Sequence, residues 1–177
     1  YWNNGELRDF DAPQIEEYLD KRAHDTFHVA TLTPDDFRDT RQRGVLGMVP
    51  GEIITTDNGY ADHVDLEKDI LKIAVVERHK GTHHIGLGYI QGYGLKSGAV
   101  ATSISHDSHN IIVVGTNSAD MAFAANYIVE HHGGIVVVEN GVVKGSVVLE
   151  IAGIMSDRPL TEVNDQLEAA QGAAFEL

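Results

Sequence analysis

The sequence predicts an α+β fold, a largely antiparallel β-sheet flanked by helices, on three observations. Short runs such as Ile70–Val76, Ile111–Val114 and Ile135–Val138 are brief and rich in valine and isoleucine, so they read as buried strands. Tight turns join several of these runs, and strands joined by tight turns pair antiparallel. Apolar residues at helical spacing mark three stretches, one near each end of the chain and one after Asn117.

From Ala12 to about Thr26, residues Ile15, Tyr18, Leu19, Arg22 and Ala23 lie at helical spacing. Pro13 suits a first turn and Glu16 and Glu17 suit its positive end, so this stretch reads as a surface helix. Thr33-Pro34-Asp35-Asp36 reads as a turn. Val45–Val49 and Glu52–Thr55 read as short strands joined at Pro50-Gly51, and Asp57-Asn58-Gly59 as another turn. Ile70–Glu77 is a buried strand, and Tyr89, Ile90, Tyr93 and Leu95 line a further one inside the glycine-rich stretch Arg78–Gly98. Ala99–Ile104 and Ile111–Gly115 are strands. Asn117-Ser118-Ala119-Asp120 starts a helix with Met121, Ala122, Ala125, Ile128 and Val129 on its apolar face, closing near His132 at Gly133-Gly134. Ile135–Glu139, Asn140-Gly141 and Val142–Leu149 make the clearest hairpin. After a loop from Ile151 to Pro159, Val163, Leu167, Ala170 and Ala174 define a last helix, Thr161–Phe175. The expected organisation is a helix and connecting segment over 1–44, a main domain over 45–160 and a C-terminal helix over 161–177.

A length of 177 residues fits one domain of ordinary size, and 42% hydrophobic with 23% charged residues is a soluble, globular composition. Thirteen basic against twenty-seven acidic residues give a net charge of -14. That charge opposes nucleic-acid backbones and anionic membranes, and the densest basic run, Arg38–Arg43, contains Asp39 and is too short to reverse it. Neither nucleic acid nor membrane is expected as a partner. The chain has no cysteine, which excludes disulfides, a thiolate nucleophile and the nucleobase deaminases that hold zinc through Cys-x-x-Cys. It lacks a signal peptide and any apolar run of about 18 residues, so a cytoplasmic location is expected. The opening Tyr1-Trp2-Asn3-Asn4-Gly5 has no initiator Met, which suggests a fragment or a processed product.

Chemistry is densest at Ser105-His106-Asp107-Ser108-His109-Asn110, immediately before the strand Ile111–Gly115. Polar groups held at the end of a rigid element are candidates for binding and catalysis. His106, Asp107 and His109 are the candidate proton-moving residues, and Ser108 and Asn110 the candidate substrate-positioning ones. A turn between two strands draws on the same residue types, so a purely structural loop stands as the alternative. A metal held by His106, His109 and Asp107 is a third possibility, one for which no fourth ligand can be named. His24 and His28 are four apart, yet they lack the intervening Glu of a zinc-protease helix, and Phe27-His28-Val29 looks like a strand entry. His131 and His132 fall in the last turn of a helix, where a cation favours the dipole. Gly86-x-Gly88 followed by Gly92 misses the dinucleotide-binding spacing.

Several motifs together resemble one family. Val76-Glu77-Arg78-His79-Lys80-Gly81-Thr82, Gly92-Tyr93-Gly94-Leu95-Lys96-Ser97-Gly98-Ala99, Ser105–Thr116, Gly133–Val138 and Ile151–Asp157 look, in consistent order, like the C-terminal region of bacterial adenine deaminase, in the amidohydrolase superfamily. The resemblance covers about Val45 to Pro159. It implies a metal-dependent aminohydrolase that converts adenine and water to hypoxanthine and ammonia, with manganese or iron as the divalent metal of the intact enzyme and none in this chain. In that family the metal sits in a (β/α) barrel that precedes the matched region and whose ligands begin with His-x-His. Among the ten histidines no two are spaced that way, and a barrel of about 200 residues or more would not fit beside the matched part. The resemblance therefore implies a barrel-less C-terminal domain, partnered by the barrel of the same enzyme and by adenine, in a homo-oligomer.

Overall fold

The computed structural model describes residues 2–4, 6, 7 and 14–177. Strands β1 (Trp2–Asn3) and β2 (Glu6–Leu7) form a small separate ribbon. The remaining elements are α1 (Glu17–His24), a 3₁₀ turn (Pro34–Phe37), β3 (Arg43–Met48), β4 (Thr55–Ala61), β5 (Ile70–Val76), β6 (Ile85–Gln91), β7 (Ala99–Thr102), β8 (Ile111–Gly115), α2 (Ser118–Glu130), β9 (Gly134–Glu139), β10 (Val142–Val148) and α3 (Leu160–Glu176). The fold is α+β, as the sequence predicts. Strands β3 to β10 build one eight-stranded sheet in the lateral order β10-β9-β7-β8-β5-β6-β3-β4. Every pairing is antiparallel except that of β3 with β6.

The period-two geometry of strands sorts side chains onto two faces. On the first face, Ala74, Val76, Ala99, Ala101, Ile111, Val113, Val136 and Val138 pack under Met121, Ala124, Ala125 and Ile128 of α2. The segment leading into β3 joins this core through Leu32 and the fully buried Phe37. Asn126 fixes it there, accepting from the Leu32 amide at 2.9 Å and donating to its carbonyl at 2.8 Å. On the second face, α3 lays Val163, Leu167 and Ala170 over Val137, Val147 and Leu149. Gly145 permits that approach, because a Cβ there would meet Ala170 Cα at 2.8 Å. Burying each valine or isoleucine of these layers contributes about 1.5–3 kcal/mol.

Two local expectations are corrected. The first helix spans Glu17–His24 rather than Ala12 to Thr26, and Ile15, Tyr18 and Leu19 are exposed, so helical spacing there does not mark a buried face. Ala12 and Pro13, which were to start it, lie outside the described residues. Asp57-Asn58-Gly59 does not end a strand but lies within β4. The turn chemistry is present, since Asp57 Oδ1 accepts from the Gly59 amide at 2.9 Å. A register shift between Gly44 and Leu46 absorbs the extra residue and lets the ladder continue.

Candidate functional site

The 103–110 loop links β7 to β8 and is fastened at both ends. At its start, the Ser103 amide donates to the Gly134 carbonyl at 3.0 Å, and Ser103 Oγ accepts from the Gly134 amide at 2.8 Å. At its end, Arg78 holds it. Ala74, Val76 and Arg78 share a parity along β5 and its continuation, so strand geometry turns the guanidinium inward, where it is 2% exposed. Its Nη1 donates to the Thr26 carbonyl and hydroxyl, each at 2.9 Å, its Nη2 to the Ala152 carbonyl at 2.9 Å and its Nε to the His109 carbonyl. The group also stacks over Phe27, 4.2 Å from the ring centre. Four segments distant in sequence are thus joined by one cation.

The adjacent residues extend this anchorage. His79 Nε2 lies 2.9 Å from the Ser108 carbonyl, and Asn110 Oδ1 accepts from the Arg78 amide at 3.4 Å. The Glu77 carboxylate accepts from the amides of His79, Lys80 and Thr82 and from the Thr82 hydroxyl. Burial alone would push that carboxyl up, but these donors prevail and hold it at about 2.

His106, Asp107 and Ser108 are exposed, and His109 and Asn110 are half-buried. The rings of His106 and His109 meet edge to face with centroids 6.4 Å apart. His109 Nδ1 is buried with no hydrogen-bond partner among the described residues. Asp107 makes no hydrogen bond to either imidazole there, so the loop brings its two histidines together but does not assemble an Asp–His pair. His24 and His28 are not on one helical face: His24 ends α1, whereas the His28 amide donates to the Arg78 carbonyl at 2.8 Å. His131 caps α2, its Nδ1 3.0 Å from the Tyr127 carbonyl. No group of three or more His, Asp or Glu that could hold a metal occurs among the described residues, so His106, Asp107 and His109 do not fit a metal by themselves.

Beside the loop an open cleft of about 520 Å³ is lined by Tyr18, Lys21, Arg22, Asp25, His28 and His79. Its cations and imidazoles offer hydrogen-bond donors to a polar molecule, in a chain that is otherwise acidic. Sequence reading singled out neither this wall nor Arg78 as functional. The parity of Ala74, Val76 and Arg78 was the available signal.

Residues 51–177 match the family model described as "Adenine deaminase C-terminal domain". The chain belongs to that family. The 105–110 loop, Glu77, Arg78 and His79 all lie in the matched part, whereas the α1 wall of the cleft precedes it. This adenine deaminase C-terminal domain is similar to "Adenine deaminase 1" of Rhizobium meliloti (strain 1021), 46% identical over 77% of this chain and 25% of that protein. It is also similar to "Adenine deaminase" of Brucella anthropi, 49% identical over 75% of this chain and 25% of that protein. A third relative, "Adenine deaminase" of Bacillus velezensis, is 49% identical over 78% of this chain and 26% of that protein. The chain spans about a quarter of the length of the curated relatives it matches.

Proposed function

We propose that this domain is part of an adenine deaminase, a cytoplasmic purine-salvage hydrolase that converts adenine and water to hypoxanthine and ammonia. In this reading the domain, with its main body over 45–160, packs against the amidohydrolase barrel of the same polypeptide in a homo-oligomer. That barrel holds the divalent metal, manganese or iron, which activates the attacking water; this chain supplies no ligand to it.

The observation that carries the reading is His109. Its carbonyl is fixed by a buried guanidinium, and its ring meets the exposed imidazole of His106 edge to face, so two imidazoles are held together just before β8. Brought to the mouth of the barrel, His109 hydrogen-bonds the purine edge and His106, exposed beside it, exchanges a proton with the leaving amine. Asp107 sets the charge around the two rings, and Ser108 and Asn110 hold the loop to the substrate side. A second reading, in which the domain is a structural or oligomerisation module, is favoured by one fact: the Ser108 carbonyl and the Asn110 side chain are already engaged in holding the loop.

The test is His106→Ala and His109→Ala in the full-length enzyme. The proton-transfer role predicts that kcat/KM for adenine falls by about 10²-fold or more at unchanged thermal midpoint. Unchanged kinetics in both variants, with dissociation of the oligomer when the domain is deleted, would establish the structural reading instead.

A further inference from the structure

The second face of the sheet is only half covered. Helix α3 lies over β9 and β10, and Leu177 reaches the edge of β7 and β8, with its carbonyl accepting from the Ser97 amide at 3.2 Å. Beyond that point the register lines up apolar side chains that α3 does not cover; Val114 among them is buried, whereas Ile73, Val100 and Ile112 are partly exposed. One row runs Gly88, Ile73, Val114, Val100, and the next runs Gly86, Val75, Ile112, Thr102. Gly86 and Gly88 carry no side chain, so the strip stays shallow on the β6 side. The β3–β4 connection closes the strip into a groove of about 340 Å³ lined by Met48, Ile54, Ile73, Ile90, Val100 and Ile112. Its rim holds Ile53 at 102% and Ile54 at 62% relative exposure, with Met48 also exposed, and Val75 stands exposed in the adjoining row. Isoleucines scattered singly need no explanation, but a contiguous apolar strip with an isoleucine pair standing at its lip is the signature of a surface meant to be covered.

We propose that this bare face is the docking surface for the rest of the same polypeptide. The inference rests on the reading of the chain as one domain of a longer deaminase, and it names the surface that joins the parts. Three observations select this occupant. Among the described residues the β3–β4 connection reaches the strip, but it lines the groove rather than filling it, while α2 and residues 27–37 pack on the other face and α3 lies over β9 and β10. The relatives have about three-quarters of their length outside the matched region, and a tethered partner meets the surface at a high effective concentration. A second copy of this chain, by contrast, would bring another net charge of -14 against the first.

The experiment exploits the absence of cysteine from this chain. In the full-length enzyme, Ile54→Cys and, as a control on the α2 side, Glu130→Cys are labelled with a thiol reagent, and the modified peptides are quantified by mass spectrometry. Both positions are exposed in this domain, so neither substitution disturbs its core. Docking predicts that Cys at position 54 is modified at least tenfold more slowly than Cys at position 130, at every protein concentration. Equal rates overturn the proposal. Protection at position 54 that disappears on dilution also overturns it, because the occupant is then another copy. Adenine deamination is assayed on the same samples: loss of the deaminase reading shows there as absent activity, whereas failure of the docking surface shows as equal labelling in an enzyme that still deaminates adenine.

Discussion

Arg78 shows how much one side chain can decide. Four of its five donors reach oxygens on Thr26, His109 and Ala152, so its removal unpairs several half-buried acceptors at once. Arg78→Met keeps the apolar stem and deletes the donors. Each acceptor left unpaired in the interior costs about 1–3 kcal/mol, so the variant loses about 3 kcal/mol or more, a fall of roughly 6–12 °C in thermal midpoint for a domain of this size. Calorimetry reads this directly, and an unchanged midpoint would show that the network is dispensable. Glu77 supplies a pH dependence from the same loop. Its folded carboxyl sits at about 2 against an ordinary 4.5, so the proton binds more weakly in the folded state. The stabilisation is therefore fully present above pH 4.5 and is lost as pH falls from 4.5 towards 2. Glu77→Gln should flatten the stability profile across that window and leave it parallel to the parent above it, as urea titrations at a series of pH values would measure. The 105–110 loop was legible because His, Asp, Ser and Asn crowd ahead of an apolar run. Its anchor was not, because Arg78 and Thr26 are 52 residues apart and no local rule joins them.

At the scale of elements, the hairpin of β9 and β10 was legible almost to the residue. Asn140 and Gly141 both adopt positive φ, at 53° and 72°, the pair of conformations that an Asn-Gly turn provides. What local pattern did not reveal is that the turn is held by the helix before it. The Asp120 carboxylate, 3% exposed, accepts from the Asn140 and Gly141 amides at 3.1 and 2.8 Å and from Asn117 Nδ2 at 2.8 Å, while Asn117 caps α2 by accepting from the Asp120 amide. Asp120→Ala should cost about 3 kcal/mol by leaving two turn amides unpaired, and Asp120→Asn less, because it keeps one acceptor. Hydrogen exchange would show the loss as faster exchange at Asn140 and Gly141 than in the parent. The lateral order of the sheet was equally beyond local pattern. Alternation and turns give hairpins, but the parallel contact of β3 with β6 is made across the connection through β4 and β5, and only the packed core selects it.

At the scale of the whole molecule, the chain has a complete core on one face and an incomplete one on the other. The first face is sealed by α2, Leu32 and Phe37, which makes a folded domain by itself a reasonable physical expectation. The 105–110 loop, by contrast, brings one half-buried and one exposed imidazole together, but no set of three metal-ligating side chains occurs among the described residues. Hydrolytic removal of an aromatic amine needs a strong nucleophile at neutral pH, and imidazoles alone do not generate one from bulk water at a useful rate. The purified 177-residue chain should therefore give a cooperative unfolding transition yet release no ammonia from adenine, with or without added manganese or iron. Ammonia release is the deciding measurement, because it is blind to folding and specific to chemistry. Activity that appears with metal and vanishes in His106→Ala and His109→Ala variants would mean that the loop assembles a catalytic centre of its own. Inactivity beside a cooperative transition would show that the loop has no catalytic chemistry of its own.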